Sequence, residues 1–327
     1  MSAPLLTVDP LVISFPSEAG RTPVVDRMAL SINAGETLAL VGESGCGKSI
    51  TALAIMRLVP RPGSIEPQSR IRFEGRDLLS LPVPEMRTVR GSKIGMIFQE
   101  PMTSLNPVTP VGDQVMEAVL LHAKVTRQEA RRRVLDQFAL VGIPAPDVRF
   151  GAYPHQLSGG LKQRVMIAMA MAMRPRLLIA DEPTTALDAT IRAQILDLIR
   201  NLAATTGTAV LLITHDFGVV NEVADRVAVM YAGQIVEEGT RTELLSQPRH
   251  PYTQGLLKSI PRPEARGTRL NEIKGAVPRP GQWPAACRFH TRCPHVFDRC
   301  RSEEPTRTRV SPTQAAWCHV VEQEVRP

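Results

Sequence analysis

The sequence predicts an α/β fold built on a parallel sheet, and three observations carry that prediction. Short apolar runs at residues 37–41, 177–180 and 209–213 each end in polar residues. Longer stretches of helical periodicity separate them, and the first run opens into a glycine-rich turn. Runs apolar on both faces suit central parallel strands, and ligands gather at the carboxyl ends of such strands. The polar residues stand at those ends in all three cases: Gly42 and its loop, Asp181-Glu182-Pro183, and Thr214-His215-Asp216.

Between the first two strands the spacing predicts a mostly helical insertion. Thr126 and Glu129 have capping-box spacing, and Ala130, Val134 and Phe138 follow at every fourth residue. Ile191, Ile195, Ile199 and Leu202 mark a second amphipathic helix. These apolar stripes are expected to be core.

The 327 residues suffice for one large domain or two smaller ones, and 43% hydrophobic with 22% charged residues is the composition expected of an ordinary soluble globular protein. The longest apolar run, residues 165–173, is too short to span a bilayer, and the N-terminus lacks a signal-peptide pattern. The expectation is a cytoplasmic protein, or one held at a membrane by partners. The net charge of +7 is uneven: residues 1–239 carry 24 Lys and Arg against 24 Asp and Glu, residues 240–327 carry 15 against 8. The tail's arginines are scattered among prolines and do not line a helix, so nucleic acid is not expected as a partner. A boundary is expected near Gly239, dividing residues 1–239, with a helical subdomain at about 101–175, from an irregular, loop-rich extension at 240–327.

Gly42-Glu-Ser-Gly-Cys-Gly-Lys-Ser49 fits G-x-x-x-x-G-K-[ST] between an apolar run and a helix. The loop residues Gly42, Glu43, Ser44, Gly45, Cys46 and Gly47 would turn backbone N–H groups onto a phosphate chain, and the helix through Ile50 presents its positive end. Lys48 would neutralise the β- and γ-phosphates, and the Ser49 hydroxyl would ligate Mg2+. Cys46 lies beside Lys48 and a helix N-terminus, where thiol pKa values fall; its reading is either an oxidation-sensitive thiol or, preferably, a small residue at a variable loop position. At the second strand end Asp181 can hold Mg2+ and Glu182 can polarise an attacking water, while His215 at the third can contact a γ-phosphate.

Leu157-Ser-Gly-Gly-Leu-Lys-Gln-Arg164 resembles the signature motif of the ATP-binding-cassette (ABC) ATPases. Phe98-Gln99-Glu-Pro resembles their glutamine loop, Ala186-Leu187-Asp188 their D-loop and Thr214-His215-Asp216 their switch histidine, in the family's order. The resemblance implies an ABC-type P-loop ATPase domain with an inserted helical subdomain. It implies that two such domains close head-to-tail on two ATP molecules, Ser158, Gly159, Gly160 and Gln163 meeting the partner's nucleotide. It further implies Gln99 as sensor of Mg2+ and attacking water, Glu182 as general base, Asp188 as the link between the two sites and Phe15 as the adenine-stacking aromatic, the stretch 16–23 beside it being irregular.

Residues 99–107, 180–188 and 250–257 resemble the ATPases of oligopeptide and dipeptide importers, and their D-type subunit in particular. That resemblance implies a heterodimer with a second, F-type ATPase beneath two membrane permease subunits. An extracytoplasmic binding protein would feed them, and this chain would be peripheral on the cytoplasmic face of the inner membrane. The segment after Gln99 would meet the permeases. Di- or oligopeptides are the default solute; relatives import nickel, glutathione, opines or oligosaccharides. The alternative class is a soluble ABC-type ATPase acting on nucleic acid or ribosomes, supported only by the basic tail.

Four of the five cysteines lie in the tail, as C-x5-C-x6-C-x17-C at Cys287, Cys293, Cys300 and Cys318. A reducing compartment argues against disulfides, and a small module with little core favours a metal staple. The spacing names no metal, and His290, His295 and His319 keep a mixed zinc site open. The resemblance to dipeptide-importer ATPases implies a four-iron four-sulfur cluster on these four cysteines. The nearby Arg288, Arg292, Arg299 and Arg301 are then expected to offset thiolate charge.

Overall fold

The computed structural model describes residues 3–18, 20–100, 104–185, 187–260 and 272–325. Residues 101–103 of the segment expected to meet membrane subunits, and Ala186 of the D-loop, lie outside them. The chain divides into two compact units, one made of Met1–Ile32, Leu38–Leu79 and Thr214–Pro327, the other of Asn33–Thr37 and Ser80–Ile213. Among the described residues no helix is long and apolar enough to cross a membrane.

The first unit carries an antiparallel sheet in the order Gly20–Ile32, Leu6–Ser17, Ile71–Phe73, Arg76–Asp77. In the stretch expected to be irregular, the first hairpin's two strands pair near its turn, Ser14 with Pro23 and Pro16 with Arg21. Proline is tolerated at a hairpin tip because few ladder donors are needed there. The unit's other strands run in the order Arg307–Arg309, Ala315–Trp317, Gln234–Thr240, Arg226–Tyr231, and Arg226–Tyr231 lies parallel to residues 38–41.

The expected break at Gly239 falls inside the strand Gln234–Thr240, and the residues after it pack into the first unit. Strand Ala315–Trp317 pairs with that strand's outer edge, through Glu237 opposite Ala316. An apolar strand edge left open would invite aggregation, so the tail's hairpin covers it. The fully buried Glu237 carboxylate fastens the junction. It accepts the backbone N–H groups of Arg249 and His250 at 2.8 and 2.9 Å and the Gln314 side-chain amide at 3.0 Å. Burial pushes this carboxyl up, and those donors oppose the shift.

The second unit holds three parallel strands, Ile94–Ile97, Leu177–Asp181 and residues 209–213 of the third predicted run. Every residue of Leu177–Asp181 is buried, as the non-alternating pattern predicts. Its described helices include Val83–Val89, Val111–His122, Arg127–Leu140, Pro146–Phe150, Gly159–Met171 and Ala189–Thr206. Thr126 caps Arg127–Leu140 by accepting the Glu129 N–H at 3.2 Å, and the expected stripe of Ala130, Val134 and Phe138 is fully buried. Ile195, Ile199 and Leu202 are buried likewise, whereas Ile191 is only half-buried.

Candidate functional site

In the first unit residues 38–41 of the strand Thr37–Val41 feed the loop 42–47 and the helix Lys48–Ile55. Gly45 and Gly47 have φ of 81° and 112°, a region that only glycine enters cheaply. Gly42 has no room for a side chain, since a Cβ there would lie 2.2 Å from the Met230 carbonyl oxygen. The Lys48 ammonium, 5% exposed, donates to the carbonyls of Gly42 at 2.7 Å and Glu43 at 3.0 Å, arching back over its own loop. Ser44 and Gly45 are exposed and Ser49 and Ile50 half-buried at the helix start. His215 is exposed at the end of its strand. Phe15 is half-buried with its ring against Gly63.

The Cys46 thiol departs from the expectation for its neighbourhood. It is fully buried, and burial pushes its pKa up despite Lys48 at 3.8 Å. Desolvation outweighs the cation and disfavours the thiolate.

Two residues with no local sequence signal grip this loop. The Glu43 N–H donates to the Tyr252 hydroxyl at 2.9 Å. The Glu43 carboxylate takes both arms of the Arg292 guanidinium, at 2.8 and 3.0 Å. Tyr252 and Arg292 stand 209 and 249 residues away in sequence, which is why pattern reading passes over them.

In the second unit Asp181 ends its strand, 4% exposed. Glu182 follows with φ 45°, an uncommon conformation for a non-glycine residue, held by its N–H donating to the Ile213 carbonyl at 2.9 Å. One Glu182 carboxylate oxygen accepts the Gln99 amide at 3.1 Å and the Thr185 hydroxyl at 2.9 Å. Strand Ile94–Ile97, parallel to Leu177–Asp181, delivers Gln99 to the same end as the acidic pair. Thr185 was given no role by the motif reading.

Ser158 caps the helix Gly159–Met171, its hydroxyl accepting the Leu161 N–H at 3.4 Å, and Ser158 and Gly159 are exposed. A side chain at Gly160 would press on Ile191 at 3.0 Å. Gln163 is 1% exposed, one turn into the helix, and Gly160 is half-buried. Asp188 caps the helix Ala189–Thr206 by accepting the Ile191 N–H at 3.0 Å.

The tail cysteines lie in the first unit. Cys300 and Cys318 are buried and Cys287 and Cys293 half-buried. The Cys287 N–H donates to the Cys300 carbonyl at 3.2 Å. Burial, reinforced by the charges of the other three thiols, pushes Cys287 up to about 12; burial and two neighbouring thiols push Cys318 up to about 11. The thiols are therefore within electrostatic reach of one another. Among the described residues, however, no group of three or more His, Cys, Asp or Glu side chains is placed to hold a metal ion. His290 Nδ1 and His319 Nε2 each lie beside a backbone carbonyl, of Cys287 and Glu303.

Three of the four arginines pair with carboxylates and not with the thiols. Arg288 pairs with Asp26, Arg292 with Glu43, and Arg299 with Glu303 and Glu322. Carboxylates lie within reach of their long side chains and take the charge, so sequence adjacency to cysteine was misleading.

A glycine-rich phosphate loop, a carboxylate pair at a parallel strand end and a capped serine–glycine nest define an ABC ATPase. Residues 25–185 match the ABC transporter family, and residues 236–300 match the oligopeptide/dipeptide transporter C-terminal region. The chain is 48% identical over 98% of its length to the dipeptide transport ATP-binding protein DppD of Bacillus subtilis, covering 95% of that protein. It is 47% identical over 96% of its length to DppD of Escherichia coli K12, covering 96% of that protein. Among solved structures it resembles the ADP- and Pi-bound, post-hydrolysis dimer of the ATP-binding cassette MJ0796. The TM-score is 0.65 at 26% identity, over 72% of this chain and 98% of that one. The chain belongs to the ATP-binding proteins of the oligopeptide/dipeptide ABC transporter family, and it is an ATPase.

Proposed function

We propose that this chain hydrolyses ATP to drive uptake of di- or oligopeptides from the cytoplasmic face of the inner membrane. The observation that carries the reading is the pairing of intact ATPase motifs with a C-terminal region of the oligopeptide/dipeptide type in one chain. Phosphoryl transfer asks a protein chiefly for positioning and electrostatic stabilisation. In this reading Gly42–Ser49 with Ile50 receives the phosphates and Phe15 stacks on the adenine. Ser49, Asp181 and Gln99 hold Mg2+, which when bound offsets the phosphate charge. Glu182 takes the proton from the attacking water, oriented by Gln99 and Thr185, and His215 contacts the γ-phosphate. Ser158, Gly159 and Gly160 complete the partner subunit's site, and Asp188 links the two.

The partner is a second, F-type ATPase, beneath two permeases served by an extracytoplasmic binding protein. Cys287, Cys293, Cys300 and Cys318 hold a four-iron four-sulfur cluster with a structural role, zinc being the alternative. Cys287, Cys293 and Cys318 are raised by burial and by neighbouring thiols, which supports that donor set, because ligation by a cation relieves the cost of ionising them together. The test is purification of the chain from its own cells under conditions that retain membrane complexes. A second ATPase and two membrane proteins are expected with it. Ribosomes or DNA alone would replace this reading with the soluble ATPase.

A further inference from the structure

A carboxylate is an awkward residue for a loop that receives a triphosphate, because its charge opposes the ligand's. Glu43 is such a residue, directly after Gly42 in the phosphate loop. Its carboxylate is matched by the guanidinium of Arg292 in a two-pronged pair at 2.8 and 3.0 Å. The Arg292 side chain is only 3% exposed, while that of Glu43 is 31% exposed, so the cation's side of the pair is shielded from solvent.

Arg292 is built to face that way. Its Nε donates to the Lys274 carbonyl at 3.0 Å, and its Nη2 also reaches the carbonyls of Ile273 and Gly275 at 3.2 Å. Three consecutive carbonyls thus fix the planar fork before it meets the carboxylate, which is a geometry lysine cannot reproduce. Beside it the fully buried Tyr252 accepts the Glu43 N–H, so neither the charge nor the backbone donor of this residue is left for the phosphates. Tyr252 is anchored by ring contacts with Tyr231 at 4.7 Å and Phe289 at 5.4 Å, in an apolar cluster that includes Val41 and against which Cys287 and Cys293 pack.

We infer that Arg292 is a positioning residue of the nucleotide site: carried on the cysteine-bearing module, it neutralises Glu43 and so sets the affinity of the phosphate loop for ATP. The inference rests on the reading of Gly42–Ser49 as the ATP loop. It makes the tail an electrostatic part of nucleotide binding, and not only a staple.

The test is a charge cycle on the full chain, measuring equilibrium binding of a fluorescent ATP analogue. Arg292→Met, which keeps the aliphatic bulk, is expected to weaken binding about tenfold by leaving the carboxylate unmatched. Glu43→Gln is expected to tighten binding, because it leaves the guanidinium unmatched near the phosphates. The double variant, neutral again, should return to near the wild-type affinity, and Arg292→Lys, which keeps the charge without the fork, should recover only part of the loss. A merely structural pin predicts that Glu43→Gln weakens binding and that the double variant is as poor as Arg292→Met; either result overturns the inference. Should Arg292→Met fail to fold, the sign of the Glu43→Gln change alone decides. Lys48→Ala separates the two claims. Wild-type binding in that variant sinks the ATP-loop reading itself, whereas its loss beside an unaffected Arg292→Met sinks only the role of Arg292.

Discussion

The Gln99 amide and the Thr185 hydroxyl converge on the same oxygen of Glu182, at 3.1 and 2.9 Å. Two donors on one oxygen fix the carboxylate's rotation. Glu182 also sits at φ 45°, a backbone arrangement that the turn after strand Leu177–Asp181 holds through the bond to Ile213.

Glu182→Gln keeps the shape of the side chain and removes its capacity to take a proton. Hydrolysis should fall by about a hundredfold or more, the usual contribution of a general base, while ATP binding is retained. Single-turnover hydrolysis beside equilibrium binding checks both halves, and normal turnover would remove Glu182 from the base role.

Ser158 both caps its helix and presents an exposed hydroxyl beside Gly159. Ser158→Ala should cost about 1 kcal/mol of stability through the lost cap. Ser158→Arg should in addition block nucleotide-dependent pairing of the ATPase subunits, seen as loss of the ATP-induced dimer in sedimentation. A dimer that persists in the arginine variant would argue against a shared site.

His250 is buried, and its Nδ1 accepts the Tyr252 N–H at 3.0 Å, capping the helix Pro251–Lys258. Burial holds this imidazole down at about 3. The unfolded chain therefore binds a proton near pH 6.5 that the folded chain refuses. Its contribution to stability is full above pH 6.5 and is lost as pH falls toward 3, at up to about 1.4 kcal/mol per pH unit. Glu243, held down at about 2 by bonds from Ser311, Thr240 and Thr313 that outweigh its burial, acts in the same direction below pH 4.5. His250→Asn keeps a capping acceptor without a titrating group. Denaturation curves between pH 7.5 and 5 should show a shallower loss in that variant than in the wild type, and parallel curves would exclude His250.

What could be read from the chain in advance follows the range of each interaction. The phosphate loop is legible because wrapping an anion in backbone N–H groups demands glycines at set intervals. The buried strands and the Thr126-capped helix are legible because burial repeats with local periodicity. Arg292 and Glu43 are not, since a pair 249 residues apart leaves no local pattern. Cys46 and the tail arginines fail differently. Their sequence neighbours suggest thiolate chemistry, but burial decides the first, and carboxylates brought from Asp26, Glu43, Glu303 and Glu322 decide the second.

The tail thiols yield the last prediction. With Cys287 pushed up to about 12 and Cys318 to about 11, these two sulfurs carry protons at neutral pH unless a cation takes them. Ligation must therefore release protons. Anaerobic purification should yield a chain with a broad visible absorption and equal amounts of iron and inorganic sulfide. Cys300→Ser should lose the iron, and removing the iron from the wild type with a chelator should lower the thermal midpoint. Because Cys287 and Cys293 pack against the cluster that holds Tyr252 and Phe289, that loss should be seen in the first unit. Hydrogen exchange should rise in strand Ala315–Trp317 and helix Pro251–Lys258, with the helix Arg127–Leu140 unchanged. Zinc without iron in the purified protein would refute the iron–sulfur assignment and leave a mixed or all-cysteine zinc staple in its place.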